Sequence, residues 1–485
     1  MGYSQFLNMI PEALLVLELL VLFFADFFLM KDEQKTKKLG LIAIAALVMQ
    51  TCLLLCAQPA VAFGGMYVAT QAANVMKVIL TLGALIVVIM AQPWLENEAR
   101  KYTGEFYMLV VSTLLGMYVM TSSGNFLMFF LGLETASVPM ACLVAFDKFK
   151  KNSAEGAAKY ILTATFSSGV MLYGLSFIYG SVGTLYYDDV MQRIAYFSQF
   201  KSQMPMLLMG LVFFFSGLGF KLSLVPFHFW TADTYEGAPT PVTGYLSVVS
   251  KGAAAFALMF IFLRAFAPLA EYYEYMLYIV IVLSITVANL FAIRQSELKR
   301  FMAFSSISQA GYIMLAVIGS SQMGMASLMY YVLVYVVANM AVFTVISTVE
   351  QNNGGTTQMS AYDGLYQTNP RLAFLMTLAL FSLAGIPPFA GMFSKFFVFM
   401  AAAQQGSFLA YFVVFIALLN TVVSLYYYLL IVKAMYIKQT NTPLPTFTTD
   451  LNTRVALAIC TLGIVLFGIC SCIYDYFFAV SVSVL

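Results

Sequence analysis

Long apolar runs recur along the whole chain, and they limit its fold more than any other feature. A typical one reads MGMASLMYYVLVYVVANMAVFTVI, and a run of about 20 apolar residues is long enough to cross a bilayer. Only 9% of the 485 residues are charged, whereas soluble domains usually carry about 25%. Helices satisfy every backbone group in lipid, and the chain lacks the alternating pattern of barrel strands. The sequence therefore predicts an all-α polytopic membrane protein.

Hydropathy predicts fourteen membrane spans in a single transmembrane domain that covers residues 1–485. Short polar stretches such as KDEQKTKKLG and ENEARKYTG separate them. The first apolar run has no basic leader and contains Glu12, Glu18 and Asp26, so we expect a retained helix rather than a cleaved signal peptide. The spans are expected at 7–30, 39–60, 74–93, 105–122, 125–146, 157–180, 205–229, 241–265, 272–293, 301–319, 323–348, 371–400, 409–436 and 454–482.

Two spans contain helix-breaking residues. Pro226 lies in the seventh span, and the twelfth reads LFSLAGIPPFAGMFSKFF, with two adjacent prolines. Paired interrupted helices five spans apart are typical of inverted-repeat transporters, since an odd number of spans per repeat inverts the second copy. The sequence thus predicts an N-terminal three-helix segment (1–104), two inverted five-helix repeats made of spans 4–8 (105–265) and spans 9–13 (272–436), and a C-terminal helix (454–482).

Basic residues are distributed unevenly between the two sides. Loops after odd-numbered spans hold sixteen Lys and Arg residues, whereas the other side holds only Lys77, Arg193, Lys201 and Arg264. The positive-inside rule then predicts that both termini lie outside, on the periplasmic side of a bacterial inner membrane. The net charge of +2 comes without a basic cluster, so we expect no nucleic-acid partner. The six cysteines lack CxxC spacing and histidine partners, which predicts neither a metal site nor disulfides.

Ionisable residues inside the predicted spans are the main candidates for function. Lys221 and Lys251 are expected about 15–22 Å into their helices, Glu134 is about as deep, and Lys159 and Lys395 also fall within spans. A charge at that depth costs about 2.5–3.5 kcal/mol on insertion scales. The residues alone leave two interpretations open: buried ion pairs or snorkelling side chains that hold helices in register, or a proton path.

Six motifs lie in consistent order between about residues 105 and 430. They are LGLETASVP, AAKYIL, GFKLSLVPFHFWTADTYEGAPTPV, SVVSKGAA, LKRFMAFSSISQAGY and LAGIPPFAGMFSKF. Together they resemble the antiporter-like membrane subunits of respiratory complex I, and within that family most closely the N-type branch.

This resemblance implies roles for the candidate residues. Glu134 and Lys221 would form a coupled pair, which Lys159 would modulate. Lys251 would be the central connecting site, and Lys395 would face the far half-channel. His228, the chain's only histidine, follows the first helix break and would be a relay toward Lys251.

The sequence departs from the family pattern at two places. Gln309 stands where the family usually has histidine, and an amide does not titrate near neutral pH. The link from Lys251 to Lys395 would then depend on water or on Lys299. Ala232 replaces a common proline, which affects the rigidity of the loop.

The function implied is proton translocation within an NADH-quinone oxidoreductase. This chain would bind no cofactor itself, whereas FMN, iron–sulfur clusters and quinone would belong to partner subunits. Its partners would be other membrane subunits, including further antiporter-like chains, and the lipid bilayer. The alternatives are a subunit of an Mrp-type cation/proton antiporter or membrane-bound hydrogenase, a membrane scaffold, and a quinone oxidoreductase in its own right. The last is opposed by the lack of Rossmann, iron–sulfur and haem motifs.

Overall fold

The computed structural model describes residues 3–30, 32–148, 150–197, 204–318, 321–440, 444–470 and 472–484. Most of this part of the chain is helical. The α-helices are α1 (Ile10–Phe28), α2 (Lys35–Cys56), α3 (Gln71–Asn97), α4 (Thr103–Thr121), α5 (Phe126–Val144), α6 (Lys151–Val182), α7 (Tyr187–Phe197), α8 (Met204–Leu222), α9 (Phe229–Gly237), α10 (Thr240–Tyr245), α11 (Lys251–Arg264), α12 (Ala270–Ile293), α13 (Leu298–Leu315), α14 (Gln322–Asn352), α15 (Leu365–Thr368), α16 (Pro370–Ala384), α17 (Ala390–Ala403), α18 (Phe408–Tyr436), α19 (Leu451–Ile469) and α20 (Cys472–Ser481).

Twelve helical segments of the described chain are long and apolar enough to cross a membrane, which confirms the all-α polytopic fold. Two of the fourteen expected spans are not among the twelve. The tenth corresponds to α13, whose apolar residues are interrupted by Lys299, Arg300 and the polar run SSISQ. The twelfth is divided into α16 and α17, each too short to span alone. Its predicted limits of 371–400 therefore contain two helices rather than one.

Other segments differ from the hydropathy-based expectation because they are short or amphipathic. Strands β1 (Ala60–Ala62) and β2 (Tyr67–Ala69) form an antiparallel hairpin between α2 and α3. Helix α7 buries only one face, through Tyr187, Val190 and Ile194. The last expected span, 454–482, is interrupted after Ile469, and α20 begins at Cys472.

The residues used to infer orientation need one correction. Lys77, counted above among the outer-side residues, lies inside α3 and is fully buried. Lys31 and Lys201 lie outside the described residues. Removing Lys77 from the sparse side makes the charge asymmetry greater, so the inference from it is unchanged.

The two interrupted spans have the same backbone arrangement at the point where the helix is broken. Helix α8 ends before Ser223 (φ 60°), and α16 ends before Gly385 (φ 88°). In each case the next residue donates its amide to a carbonyl five residues earlier: Leu224 to Gly219 at 2.8 Å and Ile386 to Phe381 at 3.0 Å. The two breaks are therefore structurally equivalent, although their side chains differ.

The entries into α5 and α13 are equivalent as well. The amide of Phe126 donates to Leu185 O at 3.1 Å, and that of Leu298 donates to Thr357 O at 2.9 Å. Each helix is capped by the preceding side chain, Asn125 in one case and Glu297 in the other. The repeat predicted from the spacing of the breaks thus has matching backbone hydrogen bonds at two separate places.

Two long spans form the centre of the molecule. The apolar length of α14 is entirely buried, and the span that contains α10 and α11 is nearly so. A π-helical turn, Leu246–Ser250, connects α10 to α11 and immediately precedes Lys251. Such turns often occur at functional sites. Lys251 therefore lies on a central helix, away from the lipid-facing surface.

Candidate functional site

Lys221 lies in the last turn of α8, next to the first helix break, and is 4% exposed. Its Nζ donates to Ser137 Oγ at 2.8 Å and to Tyr160 Oη at 3.1 Å. It also lies 5.8 Å from the centre of the Tyr160 ring. All of these partners are neutral.

Glu134 is half-buried on α5 and accepts a hydrogen bond from Ser168 Oγ of α6. The described residues contain no ion pair between Glu134 and Lys221. Ser137, which binds Lys221, is three residues after Glu134 and therefore about one helical turn away. The structure thus places the expected pair near the same stretch of α5, without direct contact.

Lys159 belongs to a charged network near one end of the membrane domain. Its Nζ pairs with Glu155 at 2.7 Å and with Asp233 at 2.6 Å. Asp233 also pairs with Arg300 at 2.7 Å, and Arg300 pairs with Glu236 at 2.7 Å. Because α6 and α9 belong to the first predicted repeat and α13 to the second, Asp233 joins the two halves.

Asp233 lies on α9, outside the membrane-spanning segments. Its partial burial opposes ionisation, but the hydrogen bonds from Lys159 and Arg300 outweigh that effect. Together they hold the pKa of Asp233 below its ordinary value. The carboxylate is therefore ionised at neutral pH, and Lys159 acts as its partner.

Lys251 is 1% exposed and donates to Ser306 Oγ at 2.7 Å. Ser306 lies 3.2 Å from Tyr235 Oη, and the Lys251 ammonium lies 5.5 Å from the centre of the Tyr235 ring. Ser306 also donates to Ser247 O at 3.4 Å. As with Lys221, the partners of Lys251 in the described chain are a hydroxyl group and an aromatic face.

Lys395 lies on α17, and its side chain returns to the second helix break. Its Nζ donates to Ala384 O at 2.9 Å and lies 4.9 Å from the centre of the Tyr312 ring. A small cavity of about 10 Å³ lies beside Lys395, Gln309 and Tyr331. That volume is about the minimum that admits one water molecule.

Gln309 lies one helical turn after Ser306 on α13. Its amide nitrogen donates to Leu383 O and to Tyr428 Oη, both at 3.3 Å, and its amide oxygen accepts from Tyr331 Oη. Because Gln309 is close to Ser306 on one side and borders the Lys395 cavity on the other, it occupies the interval between Lys251 and Lys395.

His228 and Lys299 are less closely connected to the other candidates. The His228 ring stacks on Phe229 with centroids 4.5 Å apart, and its Nδ1 is buried without a partner in the described chain. No hydrogen bond between His228 and either Lys221 or Lys251 occurs among the described residues. Lys299 donates to Ala238 O at 3.1 Å and borders a cavity of about 430 Å³. It lies two helical turns before Ser306, at one end of α13 rather than between Lys251 and Lys395.

Aromatic residues fill the interval between Lys221 and Lys251. The Tyr160 ring centroid is 5.1 Å from that of Trp230, which is 6.4 Å from that of Tyr235. Several buried polar atoms nearby have no partner in the described chain, and ordered water typically binds such atoms. They belong to Ser223, His228, Thr231, Ser308, Tyr335 and Asn339.

Sequence reasoning missed the neutral groups that hold the lysines. Ser137, Tyr160, Tyr235 and Ser306 are ordinary residues of apolar helices, and only the fold brings them to a lysine. Asp233 had a detectable signal, because it is an acidic residue directly after a helix break in an otherwise oily chain. We call Lys221, Lys251 and Lys395 the lysine row, together with the hydroxyl groups of Ser137, Tyr160, Tyr235 and Ser306.

Comparison with known proteins identifies the type of chain that carries this site. A family described as NADH:quinone oxidoreductase/Mrp antiporter, TM, matches residues 123–424. NADH-quinone oxidoreductase subunit N of Phocaeicola vulgatus is 55% identical over 476 residues, which is 98% of this chain and 98% of that protein. The subunit N of Rhodospirillum rubrum is 34% identical over 481 residues, 98% of this chain and 94% of its own length.

A solved structure agrees with these relatives. A chain of respiratory complex I from Thermus thermophilus with bound aureothin is 31% identical, with a TM-score of 0.79, and the match covers 94% of this chain and 96% of that one. The resemblance inferred from the motifs is therefore confirmed. The chain belongs to the NADH:quinone oxidoreductase/Mrp antiporter family of membrane proteins.

Proposed function

We propose that this chain is the N-type, antiporter-like subunit of a bacterial NADH-quinone oxidoreductase. It moves protons across the membrane along the lysine row, while other subunits reduce the quinone. Support comes from the relatives named NADH-quinone oxidoreductase subunit N and from the match to a chain of respiratory complex I.

One observation carries the assignment of the lysine row. None of Lys221, Lys251 and Lys395 has a carboxylate within ion-pair distance among the described residues; their partners are hydroxyls, backbone carbonyls and aromatic rings. Lysines that only hold helices in register are expected to form ion pairs. A buried lysine with neutral partners can release its proton without leaving an unpaired anion behind.

Two cavities provide the proposed access from either side. The first, of about 430 Å³, is bordered by Glu350, Lys299 and Thr240. The second, of about 570 Å³, is bordered by Gly124, Asp189 and Arg264. They adjoin the equivalent entries into α13 and α5, which an inverted repeat puts on opposite faces. We assign the first to the cytoplasmic side, because the basic loops are on that side.

The organisation and partners proposed for the chain follow the sequence-based expectations. The N-terminal segment is 1–104, the repeats are 105–265 and 272–436, and the C-terminal helix region is 454–482.

Glu134, Lys159, His228 and Lys299 assist the row as neighbours or at its entrance. FMN, iron–sulfur clusters and quinone belong to partner subunits, which include other antiporter-like membrane chains. The location is the bacterial inner membrane with both termini periplasmic.

Lys251→Arg tests the proposal most directly. Arginine keeps the positive charge but does not deprotonate in proteins, so we expect the assembled complex to reduce quinone while proton uptake falls sharply. The measurement is proton uptake per electron pair in vesicles that contain the reconstituted complex. Lys433→Arg makes the same change at an exposed lysine of α18 and should leave uptake unchanged. Normal uptake by Lys251→Arg would contradict a carrier role for the lysine row.

A further inference from the structure

A second group of buried charged residues lies in the N-terminal three-helix segment, apart from the lysine row. Glu12 and Glu18 are on α1, and Lys77 is on α3. They are 3%, 2% and 0% exposed, respectively. None of them takes part in the mechanism proposed above.

Glu12 and Lys77 form a closed hydrogen-bonded triangle with Tyr67. Lys77 Nζ donates to Glu12 Oε1 at 2.6 Å and to Tyr67 Oη at 3.2 Å, and Tyr67 donates to Glu12 Oε2 at 2.9 Å. Tyr67 belongs to β2 of the hairpin. Taken alone, this triangle has the geometry of a structural ion pair.

Two hydroxyl groups extend from the triangle toward the interior. Thr81 lies one turn after Lys77 on α3, donates to Lys77 O at 2.7 Å and is hydrogen-bonded to Tyr118 Oη of α4. Helix α1, which carries Glu12 and Glu18, packs directly against α4, which carries Tyr118. Hydroxyl groups both donate and accept hydrogen bonds. Among the described residues neither carboxyl group is hydrogen-bonded to this pair, so bridging water is needed to connect the pair to Glu18 on one side and to Glu12 on the other.

Of the three buried charged residues, Glu18 is the one whose burial is not explained by a structural ion pair. Both of its carboxyl oxygens are buried without a hydrogen-bond partner in the described chain. The buried cations on the first three helices are engaged elsewhere, Lys77 with Glu12 and Lys35 with Asp26 at 2.8 Å. A buried, isolated carboxylate is very costly, so we expect Glu18 to carry its proton at rest. Such an acid holds no helices together.

We propose that Glu18, Tyr118, Thr81 and the Glu12–Lys77 pair form a second proton-transfer site in the N-terminal segment, separate from the lysine row. A proton leaves the Glu18 carboxyl oxygen for a bridging water molecule, passes through the Tyr118–Thr81 hydroxyl pair and reaches Glu12 through a second bridging water, and each water or hydroxyl releases one proton as it accepts another. The proton arrives at Glu12, whose loss of charge weakens its attraction for Lys77. Only O–H bonds form and break, and no electron is transferred.

The charges on α1 give this site a direction across the membrane. Glu18 is six residues after Glu12, which is about 9 Å along the helix axis. Asp26 is eight residues after Glu18, which is about 12 Å further along the same axis. Asp26 pairs with Lys35 at the other end of α1. The carboxyl groups therefore follow the helix from the hairpin toward the loop between α1 and α2, on a line that bypasses the lysine row.

The proposal rests on the chain being a proton-translocating subunit, and the test uses the assembled complex. Glu18→Gln keeps the shape and neutrality of the protonated acid but cannot release a proton. We expect normal assembly and quinone reduction, a loss of proton uptake per electron pair, and disappearance of a carboxylic-acid C=O band from the infrared difference spectrum. Glu105→Gln, at an exposed glutamate of α4, should change neither measurement.

A double variant tests the ion pair without leaving an unpaired charge. Glu12→Gln with Lys77→Gln removes both charges together, which a purely structural pair should tolerate. We expect the assembled double variant to lose proton uptake. Unchanged uptake in both Glu18→Gln and the double variant would overturn the second site. The proposed function is tested separately. It fails if the Lys251→Arg variant pumps protons normally, and the results from the two N-terminal variants do not affect that test.

Discussion

At the scale of single residues, Asp233 is the acid that links the two predicted repeats. It pairs with Lys159 of α6 and Arg300 of α13, and it lies on α9, immediately beyond the first break. It is ten residues after Ser223, as Lys395 is ten residues after Gly385. The counterpart of Lys395 in the first repeat is therefore an acid that joins the two repeats.

Asp233→Asn should destabilise the assembled protein by about 1 kcal/mol, since it weakens charge-assisted hydrogen bonds at a partly exposed site. The depressed pKa of Asp233 means that its stabilisation is present above the unfolded-state pKa and is lost as pH falls through the folded-state value. The difference in thermal midpoint between wild type and variant should therefore shrink as the pH falls below about 4. Asp450→Asn, at an exposed position, serves as the control. A difference that grows in acid would contradict this account.

At the scale of elements, the second break depends on the positive φ of Gly385. A Cβ added there would lie 3.1 Å from Lys395 Cδ, whereas one at Gly354, which also has a positive φ, would meet nothing within 4 Å. Substitution at Gly354 therefore introduces backbone strain alone, whereas substitution at Gly385 introduces the same strain and also displaces the Lys395 side chain.

Gly385→Ala and Gly354→Ala should each cost about 1–2 kcal/mol, because both force an L-residue into the left-handed region. Only Gly385→Ala should also reduce proton uptake, because it moves Lys395 away from Ala384 O. The comparison requires thermal unfolding and vesicle pumping of both assembled variants. Equal pumping by the two would show that the position of Lys395 at the break is unimportant.

The sequence predicted the two breaks and their places in two repeats, but not that the backbone of both breaks would be the same. Proline and glycine mark a helix interruption wherever they occur. In the first break, however, Ser223 takes the positive φ that Gly385 takes in the second, so the two sequences do not align by residue type. The roles of Ser137, Tyr160 and Ser306 also depend on contacts between distant helices, which hydropathy does not contain.

At the scale of the whole molecule, the number and order of helices were largely predictable, because bilayer thickness fixes the length of each span. The tenth expected span, 301–319, corresponds to a helix, α13, but its polar residues keep α13 out of the twelve segments that are long and apolar enough to cross a membrane. The hairpin, α7 and the interruption before α20 were not predictable, because each is shorter than a hydropathy window. Lys77 was counted among the outer-side residues although the expected third span, 74–93, already contained it, and its buried partner Glu12 is 65 residues away in sequence.

The proposed orientation can be tested with two single cysteines. Asn152→Cys lies at the start of α6 and Asp189→Cys in α7, and both positions are exposed. A membrane-impermeant maleimide should label Asp189→Cys in intact cells and Asn152→Cys only in inverted vesicles. The wild-type chain measures background labelling of its own six cysteines. Labelling of both variants from one side would contradict the assignment of spans.

The shared backbone of the two breaks has a consequence for direction. Two halves with identical side chains in an inverted arrangement would make the path the same when read from either face of the membrane. Here Lys221 precedes its break, Lys395 follows the other, and Asp233 occupies the position equivalent to Lys395. The two halves therefore place different charged groups at equivalent backbone positions, so a proton entering the proposed path from one face of the membrane meets these groups in a different order from one entering from the other face.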